Sequence, residues 1–324
     1  MRGKGINYDT GYINEFGVTT HEPWDPGTVA RDLRVIRDEL HCTAVRVTGG
    51  DPDRLETAAR LAADLGLEVW FSPFTGELTT TELLAFLADC AERAEGLRLA
   101  GADVVLVTGA ELSLFTVGFL PGRNGFERTA VLLDTPRERL GALLAQVPAR
   151  INDFLADAVE VVRERFGGKI AYASVPFEGV DWTPFDFVAV DAYRAAEIAD
   201  RYPAMVRGLV ASGKPVAITE FGAATYRGAA DRGARSAMMV EYENGHPTRL
   251  DGEYVRDEQE QAGYLRELLD IFEAEGVDTA FAFTYANFHL RDQFDVASYG
   301  LVKVSGGGTR ERKAAFTVLA EHYR

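Results

Sequence analysis

The chain has 324 residues, with 34 Lys or Arg against 50 Asp or Glu, a formal net charge of −16. Its 47% hydrophobic and 10% aromatic content supplies a large core and excludes a mostly disordered chain. A surface this acidic repels phosphate backbones and anionic lipid, so neither nucleic acid nor a membrane is an expected partner.

The opening MRGKGINYDTGY holds no apolar stretch of signal-peptide type, and no apolar run approaches the roughly 18 residues of a membrane span. Cys42 and Cys90 both fall in apolar-periodic segments and read as small core residues. A cytoplasmic, reducing location is therefore expected.

Short runs rich in Val, Ile and Phe alternate with segments of helical period. Strands are expected at 4–8, 43–48, 67–73, 102–109, 169–175, 185–193, 214–221 and 278–285. Between them the spacing predicts helices. The first covers 26–40, with Val29, Leu33, Ile36 and Leu40 on one face. The next are 51–66, closed by Gly66, and 80–100, behind a Thr run able to cap. Then come 136–166, from Pro136 to Gly167–Gly168, 195–212, 256–275, closed by Gly276, and 310–323.

Strands alternating with helices predict parallel pairing through right-handed crossovers. Continuous apolarity within the strands fits burial on both faces. The expected fold is a single-domain α/β (β/α)8 TIM barrel over 1–324. A doubly wound open sheet would need a GxGxxG turn after the first strand, which is absent. Gly306–Gly308 reads as a flexible turn, and 297–304 as a possible extra strand. The long connections 111–135 and 222–255 follow strands four and seven, on the face where barrels carry their active sites. Within the second, EYENGH reads as a hairpin tip at Asn244–Gly245 whose arms roof a pocket.

Chemistry concentrates at the strand ends. Strand four delivers Glu111 and strand seven delivers Glu220, the latter between Ile218 and Phe221 in an apolar run where an unpaired carboxylate would be costly. Two facing carboxylates can divide the work of a general acid and a nucleophile, as glycosidic cleavage requires, with carboxyl groups about 5–5.5 Å apart. Arg46, a cation inside strand two, and Tyr193, at the end of strand six, are suited to hold Glu220. Asp191 and Arg194 flank Tyr193 and can pair with each other. Asn7, Tyr8 and Asp9 on strand one, Glu178, Asp181 and Trp182 after strand five, and Tyr285 and Asn287 after strand eight complete the candidate substrate-binding set. Aromatic rings beside polar groups suit sugars. No HExxH, CxxC, GKS/T or GxSxG pattern occurs, so no metal or organic cofactor is expected.

Arg at strand two, Glu at strand four, Tyr at strand six and Glu at strand seven together resemble the clan A retaining glycoside hydrolases. That resemblance implies Glu111 as acid/base, Glu220 as nucleophile, Arg46 and Tyr193 as the groups that orient the nucleophile, and a small-molecule or oligosaccharide substrate. The clan normally places Asn before the acid/base and often Trp after strand eight. Here Ala110 and Tyr285 or Phe288 stand there. The stretches KGINYDTG, AVRVTGGDP, VLVTGAELSLF, YASVPFEGVDWTPFD, ITEFG and VASYGLVK also resemble an actinobacterial group labelled abortive phage infection protein. Two alternatives stay open from the residues alone: a barrel isomerase, lyase or cyclase acting on a sugar-like or natural-product intermediate, and a non-catalytic phage-response or binding protein.

Overall fold

The computed structural model describes residues 1–305 and 309–324; the Gly306–Gly308 turn lies outside the described residues. The barrel strands are β1 (Gly3–Gly11), β2 (Ala44–Gly49), β3 (Glu68–Pro73), β4 (Val104–Ala110), β5 (Lys169–Ala173), β6 (Val188–Asp191), β7 (Val216–Phe221) and, past a hairpin of β8 (Val240–Glu243) and β9 (His246–Leu250), β10 (Thr279–Ala282). They form one eight-stranded sheet in the order β5-β4-β3-β2-β1-β10-β7-β6. A parallel bridge between Ser174 and Val190 joins the two edges, which makes the sheet a (β/α)8 barrel.

Local chemistry explains most of the outer helices. Helix α1 (Pro26–Asp38) and α2 (Pro52–Asp64) each start on an Asp that accepts two backbone N–H bonds, followed by a proline. Helix α3 (Thr80–Leu99) opens with a Thr79–Glu82 capping box. The expected helix over 136–166 is instead broken. The segment from 111 onward holds α4 (Leu112–Phe115) and α5 (Gly125–Asp134), followed by α6 (Arg137–Leu144) and α7 (Val147–Arg163). Pro148 has no N–H to donate, so it sits in the first turn of a new helix instead of inside a long one. Pro203 acts alike: the span 195–212 begins as a 3-10 turn, Ala196–Arg201, before α8 (Tyr202–Val210). After β7 comes the short α9 (Ala229–Arg232), and after the hairpin α10 (Glu258–Glu275), capped by Asp257. The possible strand at 297–304 shortens to β11 (Val302–Val304), antiparallel to β12 (Arg310–Arg312), before α11 (Ala314–Tyr323).

Strand alternation sorts side chains into two cores. Outward residues such as Ile6, Val45, Val47 and Leu106 pack with the helices. Inward residues plug the barrel, where Trp70 meets Phe187 and Phe281 at ring-centroid distances of 4.8 and 4.9 Å. Gly5 makes room for this plug, since a Cβ there would run into the Phe281 ring. Two residues further along five of the strands the inward positions turn polar: Asn7, Arg46, Ser72, Asp191 and Thr219 are all buried. The apolar layer closes the bottom of the barrel, and this polar layer floors an open top.

Candidate active site

Glu220 owes its direction to an irregularity. On both sides of β7 the pairing register slips by one residue, between Ile218 and Glu220 against β6 and between Ile218 and Phe221 against β10. Such a bulge breaks strict alternation and re-aims a side chain. Thr219 and Glu220, adjacent in sequence, therefore both reach inward partners. Thr219 Oγ1 donates to Asp191 Oδ1 at 2.6 Å. Glu220 Oε1 accepts from Arg46 Nη1 at 2.9 Å and Oε2 accepts from the Tyr193 hydroxyl at 2.8 Å.

Arg46 is held in turn. Its Nε donates to Ser72 Oγ at 3.1 Å, and its Nη1 also reaches Asn7 Oδ1 at 3.3 Å and the Thr219 carbonyl at 3.2 Å. Asn7 Nδ2 donates to the same carbonyl at 3.0 Å. A buried guanidinium thus faces Glu220, with Asp191 at 4.0 Å. Donors on both oxygens are the arrangement of an ionised carboxylate. The Glu220 side chain keeps 16% exposure, so it stays reachable from the barrel mouth.

Glu111 leaves β4 by a strained exit. The register against β5 slips between Val107 and Ala110, Gly109 has φ of +138°, and Glu111 itself sits left-handed at φ 45° and ψ 43°. A non-glycine residue in that region costs on the order of 1 kcal/mol, and such residues gather at functional sites. The turn is pinned from below: Leu112 N donates to the Tyr172 hydroxyl, and Ser113 N to Glu178 Oε1, both at 3.0 Å.

Burial, followed by the charges of Asp191, Glu220 and Glu178, raises the Glu111 pKa well above the ordinary carboxylate range. The Asp191 carboxyl lies within hydrogen-bonding reach of Glu111, and its pKa is also raised, first by burial and then by Glu220. Asp191 Oδ2 makes no hydrogen bond among the described residues. A carboxyl whose folded pKa is raised favours folding below its ordinary value of 4.5 and loses that contribution as pH rises through the folded value. Glu111→Gln should therefore melt a few degrees higher than the native chain at pH 7, by roughly the margin of other active-site neutralisations. The two melting curves should converge below about pH 4.5.

The other expected substrate-binding residues mostly serve the fold. Asn7 does reach the site, but as a support for Arg46. Tyr8 and Tyr285 point outward, where alternation sends the neighbour of an inward residue, and both donate to buried Asp32 at 3.2 Å. Asp9 fastens the loop after β1 by accepting from Thr20 Oγ1 at 2.6 Å and Gly11 N at 2.7 Å. Glu178 is buried under α4, taking the Tyr172 hydroxyl at 2.8 Å. Asp181 and Trp182 lie at the opposite end of the barrel. Between β5 and β6 the chain descends without a barrel helix, and Lys214, just before β7, binds the carbonyls of Trp182, Thr183 and Phe185. Arg194 does not pair with Asp191; it bonds Glu267 at 2.8 Å and covers the Tyr264 ring. Asn287 accepts from Ser298 Oγ and from the N–H groups of Tyr299 and Gly300, closing a loop.

A cavity of about 940 Å³ opens on the top face. The loop after β1, helix α5, the β8–β9 hairpin and the segment Phe288–Arg291 wall it. The hairpin turns at Asn244–Gly245, with both residues at positive φ, and covers this cavity. Neither Glu111 nor Glu220 is among the residues that line it. Phe115 lines the cavity and donates its N–H to the Glu111 carbonyl at 3.1 Å. The sequence reading anticipated the hairpin over a pocket but not the rest of this wall. Its signal was the apolar residues Phe126, Leu133 and Met238, placed in connections after strands four and seven and left exposed.

Cys42 and Cys90 are both buried and unpaired. Among the described residues no helix is long and apolar enough to cross a membrane, and no three His, Cys, Asp or Glu side chains converge as a metal site.

No protein-family model matches the chain. No curated protein matches it either, and the resemblance to the abortive-infection group gains no support. Solved structures do match in fold. A GH113 β-1,4-mannanase complex superposes with a TM-score of 0.65 at 17% identity, covering 99% of this chain and 98% of that one. The GH113 β-mannanase of Alicyclobacillus acidocaldarius in complex with ManMIm gives 0.59 at 14% identity, covering 99% and 96%. A Ruminococcus gnavus β-glucuronidase bound to D-glucaro 1,5-lactone gives 0.62 at 13%; it is matched by the whole of this chain over 50% of its own length. The chain is thus similar, over its whole length, to the barrel fold of glycoside hydrolases.

Proposed function

We propose that this protein is a retaining glycoside hydrolase or transglycosidase with Glu220 as nucleophile and Glu111 as acid/base. The observation that carries the reading is Glu220 held on both oxygens by Arg46 and Tyr193, beside a second carboxyl whose surroundings favour its protonated form. One carboxyl is braced by donors on both oxygens and the other is kept protonated by its surroundings, and such contrasting environments are how acid and nucleophile are assigned.

A Glu220 oxygen attacks the anomeric carbon as the bond to the leaving oxygen breaks, and Glu111 delivers its proton to that oxygen. The glycosyl ester on Glu220 is then opened by water or an acceptor alcohol, whose proton returns to Glu111. Asp191 acts on this cycle through Glu111. As the carboxyl nearest to it, Asp191 opposes loss of the proton until the leaving oxygen takes it. The fold shared with mannanases and a glucuronidase supports a carbohydrate substrate, and two free buried cysteines fit a reducing compartment.

The test is hydrolysis of a panel of nitrophenyl glycosides, β-mannosides and β-glucuronides included, with the anomer of the first-formed product read by proton NMR. Release of nitrophenol with retained configuration is the expected result. An inverted product, or no hydrolysis across the panel, would overturn the reading.

A further inference from the structure

We propose that the large cavity receives the leaving group of the substrate, and that this group is apolar, an alkyl chain or fused-ring aglycone instead of a second sugar. The inference rests on the glycosidase reading and deepens it.

Position comes first. The cavity wall includes Phe115, one helical turn after Glu111, and the Phe115 N–H donates to the Glu111 carbonyl at 3.1 Å. Tyr12, Phe74 and Phe115 form a continuous aromatic patch there, with centroids 4.9 to 6.0 Å apart. The opposite wall is the hairpin that follows Glu220 in the chain. At about 940 Å³ the space exceeds what a single sugar ring requires and falls within the range of sites that enclose drug-sized molecules.

Chemistry comes second. A sugar in this space would need hydrogen-bonding groups for its hydroxyls, and much of the polar wall is already engaged. Asn14 Oδ1 accepts the N–H groups of Phe16 and Val18. Thr20 is committed to Asp9 and Tyr12, and Glu77 to Gly125 N at 2.7 Å and Arg128 at 2.6 Å. Arg291 donates Nε to the Phe288 carbonyl and Nη2 to the Glu22 carbonyl. Thr19 Oγ1 and His289 Nδ1 on the wall have no hydrogen-bond partner among the described residues, but both atoms are buried, and the largest exposed side chains are apolar. Phe126, Leu133 and Met238 line the cavity at 61%, 52% and 43% exposure. Three large apolar side chains left in water around one concavity mark a surface that gains by being covered.

The experiment uses Glu220→Gln, so that binding is read without turnover, and titration calorimetry with methyl, octyl and 2-naphthyl β-D-glucopyranosides and the corresponding mannopyranosides. The octyl-to-methyl ratio cancels the contribution of the sugar. A fully buried methylene is worth about fourfold in affinity, so even a partly buried octyl chain should bind at least about 100-fold tighter than methyl. The larger of the octyl and naphthyl gains identifies chain or ring as the natural group. Adding Phe126→Ser and Met238→Ser, both at exposed positions, should reduce the octyl preference at least about tenfold and leave methyl affinity unchanged. Equal octyl and methyl affinities, or a preference that survives the two serines, would overturn the inference. If the unaltered protein still hydrolysed the nitrophenyl panel in that case, the glycosidase reading would stand without it. An octyl preference in a protein that cleaves no glycoside would overturn the leaving-group assignment through failure of the glycosidase reading itself.

Discussion

Glu220→Gln should lower kcat by about 10⁴-fold or more while leaving the barrel folded, the scale seen when a catalytic nucleophile is removed. The amide keeps the size of the carboxylate, and its oxygen can still accept from Arg46 or Tyr193. What it loses is the negative charge that attacks the anomeric carbon and balances the developing cation. The loss should therefore fall on kcat more than on KM. The check is steady-state kinetics on whichever nitrophenyl glycoside the native protein cleaves best, with circular dichroism to show an unchanged fold. A smaller side chain at the same place, Glu220→Gly, should regain part of the rate when azide is supplied, because azide can fill the space and attack in place of the carboxylate. Activity within tenfold of native in Glu220→Gln would remove Glu220 from the chemistry.

The second large effect concerns stability. Arg46→Leu should cost about 3–5 kcal/mol at pH 7, the usual result of removing one partner from a buried ion pair. Arg46 is 1% exposed and faces Glu220 at 2.9 Å and Asp191 at 4.0 Å. Without the guanidinium, those carboxyls stand in the barrel with no compensating cation, Ser72 and Asn7 Oδ1 lose their Arg46 bond, and the Thr219 carbonyl keeps only its bond from Asn7. The pH dependence gives the cause away. Arg46 lowers the pKa of Asp191, so loss of the cation raises it further, and the contribution of that carboxyl is intact below its unfolded value and is lost as pH rises through the folded one. Urea unfolding at pH 7 and pH 4 should show a penalty that shrinks at pH 4. A penalty equal at both would mean that lost packing, and not stranded charge, is the cause. Arg46→Lys should recover only part of the loss, since an ammonium cannot meet Ser72, Asn7 and Glu220 with one planar fork.

The barrel and the charged pair at its mouth were legible without coordinates because both follow from local rules. Continuous Val/Ile/Phe runs, prolines behind capping Asp residues and glycines at helix ends each act over a few neighbouring residues. The ends of strands four and seven fall on one face in any parallel barrel. Arg46 and Glu220 could be paired on the same ground, since an isolated charge inside an apolar strand must find a partner.

The remaining residues depended on which way each side chain points. Asn7 and Tyr8 are neighbours in sequence, yet one braces Arg46 inside the barrel and the other binds Asp32 outside it. Asp181 and Trp182 follow β5, but the chain had already crossed to the far end. Asn287 and Glu178 spend their hydrogen-bonding capacity on loop backbone. The bulge that turns both Thr219 and Glu220 inward, and the placing of Asp191 against Glu111, are set by pairing between strands distant in sequence. By itself, then, the sequence determined the element order, the barrel and the presence of two carboxylates at its open end, because hydrophobic period and caps are local. Only the tertiary structure decided which polar residues meet those carboxylates and which residues wall the cavity, because register, bulges and loop paths are fixed by contacts between residues far apart in the chain.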